Sequence, residues 1–195
     1  MAKLYIALTA DWEGEHLAHV RDLQKIRREI GEQLPFTHFV CPAYFSGKVQ
    51  GAEEALRAAI GEHDETGLHI HNYRSLVAHA GVAFRNSPNF HPEHNALQRF
   101  WHQLRSKPLE VSGRGVPISA YNKEEIRRLL QASSALLHRH LPAKRLTSFR
   151  AGGWMVNDTA LEALQEEGFR IDASAVPPAI LSQGYGPESP GSGLD

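Results

Sequence analysis

Residues 145–174, "RLTSFRAGGWMVNDTALEALQEEGFRIDAS", decide how this chain folds. "RLTSFR" reads as a strand. "NDTALEALQEEG" reads as a helix closed by Gly168 at the C′ position. "FRIDASAV" then returns as a second strand. Strand, helix, strand in one short stretch is a βαβ unit, and such units build parallel sheets.

The same alternation extends upstream. "KLYIALT" (3–9) is a continuous apolar run that predicts a buried strand, and Leu17, Val20, Leu23, Ile26, Ile30 and Leu34 follow at helical spacing. "THFVC", bounded by Pro35 and Pro42, predicts a second strand. "GAEEALRAAIGEH" predicts a helix with Ala55, Leu56, Ala59 and Ile60 inward, and "TGLHIH" (66–71) a third strand. Further on, "YNKEEIRRLLQASSALLHRHL" opens with Asn122 and, three residues later, Glu125, the pattern of a capping box, and Pro142 ends it. "HPEHNALQRFWHQL" (91–104) carries Leu97, Phe100, Trp101 and Leu104 on one helical face between loop-like flanks. Five strands are clear, with room for a sixth between Asn72 and Gly115. The expected class is α/β with a parallel sheet, open or closed into a barrel. Residues 1–181 read as a single domain, and 182–195, "SQGYGPESPGSGLD", as a Gly/Pro/Ser-rich loop or tail.

Composition narrows the function classes. A chain of 195 residues with 42% hydrophobic and 22% charged residues is globular and long enough to bury a core. A net charge of −1 with scattered Lys and Arg lacks the electrostatic footprint of a nucleic-acid binder. A single cysteine, Cys41, excludes an intramolecular disulfide and a Cys-based zinc module. The apolar run near the N-terminus is short for a signal peptide, and no segment approaches the ~20 apolar residues of a membrane span. These features predict a cytoplasmic protein with no membrane partner.

Chemistry-bearing residues collect where a parallel α/β fold puts its sites, at the C-terminal ends of strands. The first strand ends in Asp11 and Glu13, the third in His69 and His71, and the strand of "SFRAGGW" in Arg150, two glycines and Trp154. The final strand ends in Asp172 and Ser174. Residues i and i+2 on a strand share a face, roughly 6.5 Å apart, so each pair can converge on one point. Imidazoles plus a carboxylate are the ligand set of hydrolytic zinc sites, and a second carboxylate held by Arg150 would deprotonate the water. Each residue also has a plainer role: half-buried histidines with hydrogen bonds, acids in a first helical turn, a glycine turn, a packing tryptophan, a capping aspartate. What weighs against the plainer roles is that all of these residues map to one rim.

"LTADWEG", "ETGLHIHNY", "SFRAGGW" and "GFRIDAS", in this order, resemble the motifs of the polysaccharide deacetylase family, the NodB-homology or carbohydrate esterase family 4 group. The resemblance implies a distorted (β/α) barrel of about seven strands and a divalent metal, usually zinc. It implies removal of an acetyl group from an N-acetylated sugar by metal-activated water. Carried over, Asp11 is the general base, Arg150 orients it, and Glu13, His69 and His71 hold the metal. Gly153 and Trp154 offer a backbone N–H to the oxyanion, and Trp154, Gly153, Tyr73 and Asp172 line the substrate.

Three departures from the family pattern stand out. Trp12 separates Asp11 from Glu13 where the family has adjacent aspartates, so base and ligand roles are open to exchange. The family's second histidine would fall at Tyr73, and His71 takes its place. The late Leu-x-His motif, whose histidine acts as general acid, has no counterpart, since no histidine follows His140. Two readings stand beside the deacetylase, which would act on an N-acetylated saccharide or small amide. One is a metal-independent, allantoinase-like amidohydrolase; the other is a carbohydrate-binding pseudoenzyme. An incomplete barrel would expose strand edges, which makes a homo-oligomer plausible.

Overall fold

The structure, a computed structural model, describes residues 3–14, 16–31, 33–85, 116–141 and 145–175. Within them run five strands: β1 (Leu8–Trp12), β2 (Phe36–Val40), β3 (Glu65–Ile70), β4 (Ser148–Ala151) and β5 (Ile171–Asp172). The helices are α1 (Ala18–Ile30), α2 (Ala43–Ser46), α3 (Ala52–Ala59), α4 (Arg74–His79), α5 (Lys123–His140) and α6 (Asp158–Glu166). Short 3-10 turns occupy Ile118–Ala120 and Gly152–Trp154.

The five strands form one sheet in the order β1-β2-β3-β4-β5, every neighbouring pair parallel. Right-handed crossovers that always step in one direction put their helices on the same face of a sheet. A doubly wound fold would reverse its order partway, and this one does not. The two faces differ accordingly. Register places Trp12, Val40, Leu68, Ile70 and Phe149 with one parity, and these buried residues face the helices, with α5 packed on β3. The opposite parity carries Asp11, Phe39, Gly67, His69 and Arg150. That second face is where the chemistry lies.

One long side chain crosses this face. β1 and β4 are three places apart in the sheet, which in a flat sheet is roughly 14 Å. Yet the Arg150 guanidinium reaches Asp11 at 2.7 Å, crossing 4.3 Å above the Phe39 ring. Gly67 makes room for that crossing layer, because a Cβ there would lie 2.6 Å from Ser148 Oγ and 2.7 Å from Phe39. Among the described residues the sheet does not close, and five strands are found rather than about seven.

Local sequence explains the helix ends. Asn122 accepts from Glu125 N at 3.0 Å, and Glu125 Oε2 accepts from Asn122 N at 2.9 Å, so the capping box is formed. Asn157 caps α6 through Ala160 N, and Gly168 follows the helix with φ +86°.

Three expectations need correction. β1 begins at Leu8, and the apolar residues Leu4, Tyr5 and Ile6 are exposed rather than part of a buried strand. Of the expected helical stripe, Val20 and Leu23 are buried, Ile26 and Ile30 are exposed, and Leu34 is exposed beyond the end of α1. The last turn of α1 is held instead by Arg27, whose guanidinium pairs with Asp64 at 2.5 and 2.8 Å. Between Asn72 and Arg85 there is α4 rather than a strand. The expected helix at 91–104 and the tail at 182–195 lie outside the described residues.

Candidate metal centre and its carboxylate partner

β3 ends at Ile70, so His69 is the last open-face residue inside the strand and His71 the first beyond it. His69 is buried, 2% exposed. Its Nδ1 lies 2.9 Å from the carbonyl oxygen of Arg150, its register neighbour on β4. A carbonyl oxygen only accepts, so Nδ1 carries the proton and, in the neutral ring, Nε2 presents a bare lone pair. That Nε2 is buried and has no hydrogen bond among the described residues, and Glu13 Oε1 stands 3.8 Å away. A buried lone pair left in this state costs free energy unless a ligand uses it.

His71 meets the same carboxylate from the other side, Nε2 to Glu13 Oε2 at 2.7 Å, and the two imidazoles stand edge to face, 4.7 Å apart. One ligand atom from each of Glu13, His69 and His71 lies within 4.8 Å of the others. The donor set is one ionised oxygen and two imidazole nitrogens, with one nitrogen fixed by a carbonyl behind it. This set fits a divalent metal of the zinc type with coordination positions left for water.

Two glycines shape the cluster, and their role could not be read from the sequence. Gly152 lies against His71: a Cβ there would sit 2.4 Å from Nδ1 and 2.6 Å from Cε1. Gly14, immediately after Glu13, has φ +98°, and a Cβ would press on Ala43 and Cys41 at 2.9 Å. Only the motif positions, a glycine after Glu13 and a double glycine after Arg150, hinted at close packing.

Asp11 and Arg150 form the second part. Arg150 Nη1 donates to Asp11 Oδ1 at 2.7 Å and to Thr9 Oγ1 at 3.3 Å, while its Nε donates to Ala173 O at 3.0 Å. Both side chains are mostly buried, 15% and 25% exposed. Thus Asp11 and Arg150 are brought together, and His69 sits beside Arg150 in register.

Of the remaining candidates Tyr73 lies beside the cluster, whereas Asp172, in register with Phe149, has the parity of the helix-covered face. Asp172 Oδ1 accepts from Ser174 N and Oγ at 3.1 and 2.5 Å, and Ser174 Oγ accepts from Ala151 N, so Asp172 braces the end of β4. Tyr73 is 1% exposed and lies under the site, its ring centroid 5.8 Å from that of His71. Gly153 and Trp154 are consecutive left-handed residues, φ +68° and +57°. That conformation is uncommon for tryptophan.

No family model matches the chain, and no curated protein matches it. Among solved structures it is similar to a family 4 carbohydrate esterase from Bacillus anthracis, at 16% identity and a TM-score of 0.46. The match covers 85% of this chain and 56% of that one, so the chain spans little more than half the length of that protein. At this identity and overlap the likeness carries no functional weight. Among the described residues no helix is long and apolar enough to cross a membrane.

Proposed function

We propose that this protein is a metal-dependent hydrolase that cleaves the amide of an N-acetylated sugar or a related small amide. The observation that carries the reading is His69. Its proton is committed to the Arg150 carbonyl, and its buried Nε2 faces a carboxylate and a second imidazole with no hydrogen bond of its own among the described residues. The acetylated-sugar substrate rests on the motif resemblance and not on the geometry.

In this reading Glu13, His69 and His71 hold the metal. The bound ion would supply Lewis acidity toward the amide carbonyl and a water reactive near neutral pH. Arg150 keeps Asp11 ionised and aimed, and Asp11 takes the proton of the attacking water. The carbonyl oxygen gains charge as the C–O bond forms, and a backbone N–H at Gly153 or Trp154 receives it. When the C–N bond breaks, the amine leaves with a proton, which Asp11 returns. Trp154 flanks the substrate, Tyr73 backs His71, and Asp172 acts behind the sheet by bracing the end of β4 through Ser174.

One contact favours a second reading. Glu13 and His71 already pair at 2.7 Å, so the two groups satisfy each other directly without an ion between them. Elemental analysis after zinc, nickel or cobalt supplementation, run beside acetate release from chitin oligomers, separates the two. The metallohydrolase reading predicts one equivalent of metal, lost in both His69→Ala and His71→Ala. A metal-free parent that still hydrolyses amides would establish the second reading instead.

A further inference from the structure

On the helix-covered side of the sheet a polar chain runs through the core. Trp12, 3% exposed, lies between Asp11 and Glu13 in sequence and turns away from both. Its Nε1 donates to His38 Nδ1 at 3.1 Å, with the two ring planes within 22° of parallel. His38, fully buried on β2, places Nε2 2.8 Å from Asp64 Oδ2. Asp64 in turn is held by Arg27, by Phe36 N at 2.9 Å and by Gly61 N at 2.6 Å.

The hydrogen-bond roles along this chain are determined. An indole N–H only donates, so His38 Nδ1 must be the acceptor. Its Nε2 then carries the proton and donates to the Asp64 carboxylate. An imidazolium would have no acceptor for Trp12, so the neutral ring is the one this arrangement requires. Burial also pushes the His38 pKa down, against Asp64. Asp64 sits just before β3 and is anchored to the last turn of α1 through Arg27 and to the start of β2 through Phe36 N, so His38 is fixed from below and Trp12 from His38. An apolar residue at position 12 would fill the space, but it would not fix the rotation of the strand end.

We infer that the Asp64–His38–Trp12 chain is a positioning device for the proposed centre: by pinning the Trp12 indole on one face, it holds Asp11 and Glu13 on the other. This rests on the metal-site reading. It also explains why a tryptophan separates the two acids. Three consecutive side chains on a strand must alternate faces, and the middle one is tied down.

The test is zinc affinity by competition with a chromogenic chelator, measured beside the melting temperature of the metal-free protein. His38→Phe and Trp12→Phe each keep the ring volume and remove the tie. Both are expected to weaken zinc binding by about tenfold or more, the usual effect of removing support behind metal ligands. His38→Gln, with an acceptor and a donor set like the two ring nitrogens, is expected to recover affinity to within about threefold of the parent. Parent-like affinity in both Phe variants, whatever their melting temperatures, would overturn the inference, as would His38→Gln binding no better than His38→Phe. A parent that binds no zinc overturns the metal-site reading together with this inference. A parent that binds while the Phe variants match it overturns this inference alone.

Discussion

Gly152→Ala probes the centre with a single methyl group. Gly152 does not have a positive φ, so alanine fits its backbone and the perturbation is steric. The new Cβ would lie 2.4 Å from His71 Nδ1, 2.6 Å from Cε1 and 2.7 Å from Cγ. Ordinary contact begins near 3.5 Å, so the ring must retreat by about 1 Å. Metal–ligand distances tolerate only about 0.2 Å, and His71 Nε2 now sits 2.7 Å from Glu13. The imidazole therefore cannot keep both its place and its ligand geometry. Zinc affinity should fall by about 10- to 100-fold, or about 1.4–2.8 kcal/mol. The metal-free protein should also lose about 1–3 kcal/mol from overpacking. Chelator competition gives the first figure and urea unfolding the second. His71→Ala provides the internal control: with the imidazole gone there is nothing to strike, so Gly152→Ala should then cost almost no stability. Parent-like zinc affinity in Gly152→Ala, or an equal stability cost in both backgrounds, would refute the reasoning.

Asp11→Asn keeps an acceptor for Arg150 but removes the base; amide hydrolysis should drop by about 10²- to 10⁴-fold with zinc content unchanged. Loss of zinc in that variant would mean that Asp11 and Glu13 exchange roles. Arg27→Met leaves Asp64 buried without its guanidinium and should cost about 3 kcal/mol in urea unfolding, since one partner of a buried pair is removed. Stability should also fall as pH drops below about 6.5, the ordinary histidine value, because burial holds folded His38 below it and the unfolded chain takes up the proton first. The slope for that one group is at most about 1.4 kcal/mol per pH unit and should disappear in His38→Gln. A second loss belongs to Asp64: burial alone would raise its pKa, but Arg27 and the Phe36 and Gly61 amides outweigh it. Its contribution is full above the ordinary 3.8 and fades as pH falls below that value. Urea midpoints from pH 3 to 8 check both.

Much of this arrangement is visible in the chain. Period-two alternation put Asp11 with Glu13 and His69 with His71, and the register of β1 to β4 brings His69, Arg150 and Asp11 onto one face. Long helices with cap signals, such as that begun by Asn122, were equally legible because capping is local chemistry. What escaped depends on distant partners. The start of β1 is set by pairing with Phe36, so the apolar residues at 4–6 mislead. The four-residue α2 is too short to show a helical period. Gly152 matters only because His71, distant in sequence, packs on it. His38 and Asp64, 26 residues apart, carry no spacing signal at all.

The central claim is that the Nε2 lone pair of His69 is kept for a metal. Long-range 1H–15N spectra of the histidine rings, recorded without metal and with one equivalent of zinc, address it directly. The account predicts His69 protonated at Nδ1 in both spectra, with the Nε2 resonance moving from a bare nitrogen to a zinc-bound one. His69 protonated at Nε2, or a spectrum unchanged by zinc, would contradict it.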